Sequence, residues 1–168
     1  KHDPYYDIGL VSAQGGKITN LTNSGYTSGS PAWTMDGNAI LFTSERYGMR
    51  NHASWGSMED VFLCFVNQDA YDKYRLSKED YELLKEVEKE QEKLKKGDKK
   101  EDTKKDEKAS KDLNIELDGI QDRIVRLTPN SSSLGNAIID KKGENLYYTA
   151  SFEKGMDLWK LEIRKKEV

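Results

Sequence analysis

The chain has 168 residues, of which 35% are hydrophobic and 34% charged, with a net charge of −3. That balance offers no basic field for nucleic acid, and no apolar run approaches the ~20 residues needed to span a membrane. The single cysteine, Cys64, excludes an intramolecular disulfide; it lies in the apolar run Val61–Val66 and reads as a buried structural thiol rather than a nucleophile. The chain opens at Lys1-His2-Asp3-Pro4 without Met or signal peptide and reads as a piece excised from a longer protein.

In chain order, strands are expected near 6–11 and 16–22, then near 30–34 and 38–44 around the tight-turn signal Met35-Asp36-Gly37-Asn38. Further strands are expected near 60–66 and 122–128, and a last set near 136–140, 144–150 and 156–163. Between the strands at 60–66 and 122–128 lies a charged stretch, with 12 Lys and 13 Asp or Glu in the 35 residues 78–112. Ser77 with Asp80 resembles a capping box, and Gly97 is a plausible stop, so a helix is expected over 78–96, supported by Glu82/Lys85, Glu86/Lys89 and Glu90/Lys93 pairs. Its apolar stripe of Tyr81, Leu84, Val87 and Leu94 is thin, so weak packing is expected. From Gly97 to Lys111 the chain has too little apolar surface to offset its entropy and is expected to be a disordered tether. The insertion as a whole, 68–112, reads as a helix plus this tether. A solvated loop is the simpler reading of it, a partner-binding arm the alternative.

A repeat underlies the strands. Shifted by 106, residues 17–44 lie over 123–150 without a gap, so that Ile18, Leu21, Thr22, Gly29, Gly37 and Thr43 meet Ile124, Leu127, Thr128, Gly135, Gly143 and Thr149. A second landmark is an Asp before alternating apolar residues at Asp7, Asp60 and Asp157, spaced 53 and 97 apart. Asp7 to Lys17 spans 10 residues and Asp60 to Arg123 spans 63, so the second interval carries 53 inserted residues and its underlying unit is 44. Four short strands in 40–50 residues is the period of a propeller blade. The expected fold class is therefore all-β: a β-propeller fragment of about two four-stranded antiparallel blades with an inserted charged helix, the whole of 1–168 forming one partial unit. On this reading Trp33 and Phe42 are buried between blades.

The run Ser30-Pro31-Ala32-Trp33-Thr34-Met35-Asp36-Gly37-Asn38-Ala39-Ile40-Leu41-Phe42-Thr43-Ser44-Glu45-Arg46 resembles the TolB-type, WD-like propeller repeat, Ser-Pro-x-Trp-Ser-Pro-Asp-Gly-x-x-Ile-x-Phe-x-Ser-x-Arg. With Arg46–Gly56 before the strand at Asp60, Leu117–Thr128, and Phe152–Trp159, the ordered set is similar to the N-terminal propeller region of bacterial tricorn-type serine peptidases, lysine-rich insertion included. Met35 departs from the usual Pro, and the second copy has Lys141-Lys142-Gly143 and no Trp. The resemblance implies a non-catalytic module that guides or filters peptide substrates toward a catalytic domain outside this chain. Its partners would be the remaining blades and that catalytic domain. It favours a periplasmic or exported location over a cytoplasmic one. The alternative is a TolB-type scaffold for protein–protein interaction without enzymatic activity.

The residues themselves hold no nucleophile–base pattern. There is no Gly-x-Ser-x-Gly elbow, and the only histidines are His2 and His52. Ser54 and Ser57 near His52 have no spacing signature. No metal-ligand cluster or phosphate-cradling loop is present, so neither metal nor cofactor is expected. Because connections alternate between the two ends of a strand meander, loops 23–29, 45–59, 129–135 and 151–156 share one end. That end offers Arg46, Tyr47, Arg50, His52 and Trp55 beside Asn23, Ser24 and Tyr26, a cationic and aromatic set suited to peptide termini and backbone. The plainer account is that Trp55 packs its loop down and the arginines pair with nearby acids.

Overall fold

The computed structural model describes residues 5–50, 57–97, 113–165 and 168. Among these residues nine strands form three antiparallel sheets. The first sheet pairs β1 (Gly9–Leu10) with β2 (Thr19–Asn20). The second has the order β3 (Ser28–Thr34), β4 (Ala39–Ser44), β5 (Asp60–Phe65), β6 (Ile124–Arg126). The third is β7 (Ser133–Ile139), β8 (Asn145–Ser151), β9 (Asp157–Glu162). Two helices, α1 (Gln68–Arg75) and α2 (Lys78–Gly97), lie between β5 and β6.

The middle sheet is covered on both sides, which explains its unbroken apolar strands. Every residue of β4 and β5 is buried. Side chains alternate across a strand, and the two faces enter different cores. Ala39, Leu41, Val61, Leu63 and Phe65 pack with Leu146, Tyr148, Ala150 and Leu161 of the third sheet. Ile40, Phe42, Phe62 and Cys64 pack with Ile8, Leu21, Val66 and Ile120. In the third sheet β8 is buried on alternate residues only, and Ile138 and Leu158 stand exposed on its outer side.

The repeat read from the sequence recurs in the strand registers. In β3–β4, Ser28 pairs with Ser44, a bulge follows, and then Ala32 and Trp33 pair with Leu41 and Ile40. In β7–β8, Leu134 pairs with Ala150, a bulge follows, and Ile138 and Ile139 pair with Tyr147 and Leu146. Each residue is displaced by the same 106. The next strand repeats too: β4–β5 runs from Ala39↔Phe65 to Ser44↔Asp60, and β8–β9 from Asn145↔Glu162 to Ala150↔Asp157.

Hydrogen bonds repeat with the registers. Asp7 accepts from the hydroxyl of Thr22 (2.8 Å), and Ile8 N–H donates to that same hydroxyl (3.1 Å). Asp60 accepts from the hydroxyl of Thr128 (2.8 Å), and Val61 N–H donates to it (3.2 Å). Asp60 is fully buried and takes further bonds from Arg126 and Ser131, so its charge is compensated.

The turn between β3 and β4 has no place for a proline at Met35. Met35 sits at φ 52° and Asp36 at φ 53°, a left-handed backbone that the proline ring, locked near −65°, cannot adopt. The Met35 side chain lies against the corresponding turn of the next repeat, so close to Gly143 (φ 70°) that a Cβ there would sit 2.7 Å from Met35 Cε. Glycine satisfies both the space and the backbone.

Two expectations are corrected. Trp33 is 48% exposed, not buried, whereas Phe42 is buried as expected. Ile139, at the same place in the next repeat, is partly covered by the core it shares with the middle sheet. Trp33 lies on β3, the edge strand of the middle sheet, and is packed into neither core. The insertion is also better anchored than its composition implies. α1, absent from the expected elements, is capped by Asn67, whose side chain accepts from Ala70 N–H (2.9 Å), and its Tyr71 and Tyr74 rings rest on Phe65. Arg164, just past β9, donates to the carbonyls of Lys73, Tyr74 and Leu76 at the end of α1 (3.0–3.2 Å), satisfying acceptors that a helix leaves open. Its guanidinium stacks 3.5 Å from the ring of Tyr81, which is buried. Ser77 caps α2 at the expected place: its hydroxyl accepts Asp80 N–H and donates to the Asp80 carboxylate, which does not reach back to the Ser77 backbone N–H as a full capping box requires. Beyond it α2 is largely solvent-facing, with Leu83 and Val87 exposed. The expected tether after Gly97 lies outside the described residues.

Candidate functional site

The end of the middle sheet where β4 leaves and β5 enters carries the cationic and aromatic set. Asp60 closes the β4–β5 ladder opposite Ser44, so the chain on either side, Glu45–Arg50 and Ser57–Glu59, emerges side by side. An isolated bridge between Arg50 and Ser57 holds the base of this loop together. Tyr47 stacks on Phe62 with ring centroids 6.0 Å apart, which ties the loop to the core. The guanidinium groups of Arg46 and Arg126 both lie over the Tyr47 ring, at 5.5 and 5.4 Å. Arg50 stands 5.7 Å from the ring of Tyr5 and 5.2 Å from that of Tyr26. Three of the expected residues, Arg46, Tyr47 and Arg50, thus stand exposed on one loop in two aromatic clusters, Arg46 and Arg126 on Tyr47, and Arg50 beside Tyr5 and Tyr26. His52 and Trp55 lie outside the described residues, as does Ser54.

Sequence reasoning missed three members. Arg126 comes from β6, 80 positions from Arg46 and across the whole insertion; only the repeat pairing brings it here, with its other edge on Asp60 (2.8 Å). Tyr5 arrives from the segment before β1. Glu59 lies at the mouth of the same loop, and its carboxyl is held above the ordinary carboxylate range by burial, then by the charge of Glu45, against a lowering hydrogen bond with Thr43. A single acid at the mouth of a loop leaves no pattern in sequence.

The arginines of this patch are held by aromatic faces, and Arg46 and Arg50 form no ion pair among the described residues. Their N–H edges can therefore donate to a carboxylate or a carbonyl. Beneath Arg46 a narrow cleft lined by Thr22, Ser24, Ser28, Ser44 and Phe62 has room for about one water, ≈ 10 Å³, so no side chain of a ligand is swallowed there. A larger cleft of ≈ 340 Å³ lies between α2 and the β8–β9 hairpin, but Lys85 is paired with Glu144, and Lys160 and Lys165 with Glu162.

Burial pushes the Cys64 thiol up to about 11, with Arg123 opposing weakly, so it stays protonated at neutral pH. Among the described residues no group of three His, Cys, Asp or Glu side chains is placed to hold a metal ion, and no helix is long and apolar enough to cross a membrane. No family model, curated protein or solved structure matches the chain.

Proposed function

We propose that this chain is a stretch of β-propeller that binds extended peptide segments at the Arg46–Tyr47–Arg50 patch and carries no catalytic machinery of its own. The observation that carries the propeller reading is the recurrence of one strand register, bulge included, in consecutive sheets that pack face to face. A unit of four short antiparallel strands that buries its faces only against its neighbours is what a blade is. The resemblance to tricorn-type serine peptidases adds a setting: the patch would receive peptides on their way to a Ser/His catalytic domain elsewhere in a longer protein. A TolB-type scaffold would use the same patch for a protein partner.

Peptide binding supports itself on chemistry rather than on that setting. The guanidinium edges of Arg46 and Arg50, which form no ion pair among the described residues, favour a C-terminal carboxylate or an acidic side chain, and the tyrosine faces add sequence-tolerant contact. The test is binding of a peptide library to the purified chain, measured against Arg50→Ala and Arg46→Ala. Binding that prefers free C-terminal carboxylates over amides, and weakens roughly tenfold or more on losing a charge-assisted hydrogen bond, is the expected result. Equal binding by the variants removes the patch from the reading. Peptide cleavage by the chain alone, abolished by Ser54→Ala or His52→Ala, removes the non-catalytic part.

A further inference from the structure

We infer that the free edge of β9 is a docking site for one antiparallel strand that ends in Leu-Thr, whose threonine hydroxyl bonds Asp157. The inference comes from comparing three equivalent strands. β1, β5 and β9 each follow an aspartate or begin with one, at Asp7, Asp60 and Asp157. The first two have an outer neighbour, β2 and β6, and among the described residues the third pairs only with β8.

In both completed pairs the outer strand runs into the same dipeptide, Leu21-Thr22 and Leu127-Thr128. The leucine N–H donates to the strand residue after the aspartate, Leu21 to Ile8 O and Leu127 to Val61 O, each at 2.8 Å. The threonine hydroxyl then bonds the aspartate carboxylate and accepts the N–H of that same residue. Three groups of the receiving strand, a carbonyl, an N–H and a carboxylate, are thus satisfied by two residues. Asp157 is exposed and has no such threonine opposite it among the described residues, while Leu158, in the place of Ile8 and Val61, is 73% exposed against their 5% and 0%.

Register places the occupant. Phe62 pairs with Arg126, two residues before Thr128. Trp159 occupies the Phe62 position, since each faces the equivalent residue, Phe42 or Tyr148, of its neighbour. The residue of the incoming strand that sits opposite Trp159 therefore lies two before its threonine. The occupant is a strand of the repeat's own pattern, apolar and polar residues alternating into Leu-Thr, added by main-chain pairing with the threonine fixing the register. The assignment rests on strand pairing and not on the peptide-binding patch, so an Arg50→Ala chain must capture the strand unchanged; failure of either reading is visible separately.

The experiment uses the 168-residue chain with a synthetic peptide copying residues 121–131. Amide resonances of Leu158, Trp159 and Lys160 are followed by NMR. Saturable shifts confined to β9 are expected, with roughly tenfold or greater weakening when the peptide threonine is valine or when Asp157 is alanine. As a second arm, Leu-Thr and Leu-Val are appended after Val168, which lies beside Trp159 in one cleft, and thermal stability is compared, the Leu-Thr form being the more stable. Threonine and valine forms that behave alike in both arms overturn the proposal. So does self-association of the unmodified chain through β9, which would make a second copy the occupant.

Discussion

Arg164 and Tyr81 stack at 3.5 Å, joining a residue that follows the third sheet to a helix inserted in the second. The same guanidinium closes the end of α1 through three carbonyls. One side chain therefore holds both helices of the insertion against the neighbouring sheet, and the insertion braces two sheets together.

Arg164→Ala should cost about 2–3 kcal/mol, since several acceptors and a buried ring lose their partner at once. Deleting 72–112 with a short Gly-containing join should cost more than about 2 kcal/mol for the same reason, and not leave stability unchanged as its composition alone implies. Urea titration measures both. Proteolysis within α2 should speed up in Arg164→Ala before global unfolding is detectable.

The repeated Asp–Thr pair predicts an unequal pair of mutants. Thr128→Val removes a bond to a fully buried carboxylate and should cost about 1–3 kcal/mol. Thr22→Val acts on the half-buried Asp7 and should cost less. Asp60→Ala, which leaves Arg126 without its partner and strips Ser131 and Thr128 of an acceptor, should cost about 3–5 kcal/mol. Equal effects at Thr22 and Thr128 would contradict the burial difference.

Core truncations should separate two aromatic residues that look alike in sequence. Phe42→Ala, buried and stacked 5.4 Å from Phe62, should cost about 3–5 kcal/mol. Trp33→Ala should cost under about 1.5 kcal/mol in this chain, because half its surface is already in water. Denaturant midpoints of the two variants decide this directly.

Glu59 predicts a pH dependence. Its folded carboxyl lies above the ordinary value of 4.5, with burial the main cause. The folded chain then binds a proton more tightly than the unfolded one, so stability falls as pH rises from 4.5 through the raised value and stays lower above it. Glu59→Gln should flatten this limb and raise the melting temperature at pH 7, by a modest amount because the group is partly exposed. A wild-type limb that Glu59→Gln leaves unchanged would exclude this residue as its source.

Local chemistry was enough to place most strands, the Asp36-Gly37 turn and the Ser77 cap of α2, because each depends on residues close together in the chain. The 106-residue shift carried further, down to the pairing of Ile138 with Tyr147, since identical side-chain patterns select identical registers. Burial was a different matter. Whether Trp33 is covered depends on what packs over the edge strand β3, and no property of Trp33 or its neighbours encodes that. Arg126 and Tyr47 meet only because β6 returns beside β5 after the insertion, and Arg164 reaches Tyr81 only because sheets two and three pack face to face. Those contacts belong to the packing of distant elements, where one arginine can end in water or on a ring with the same local sequence around it.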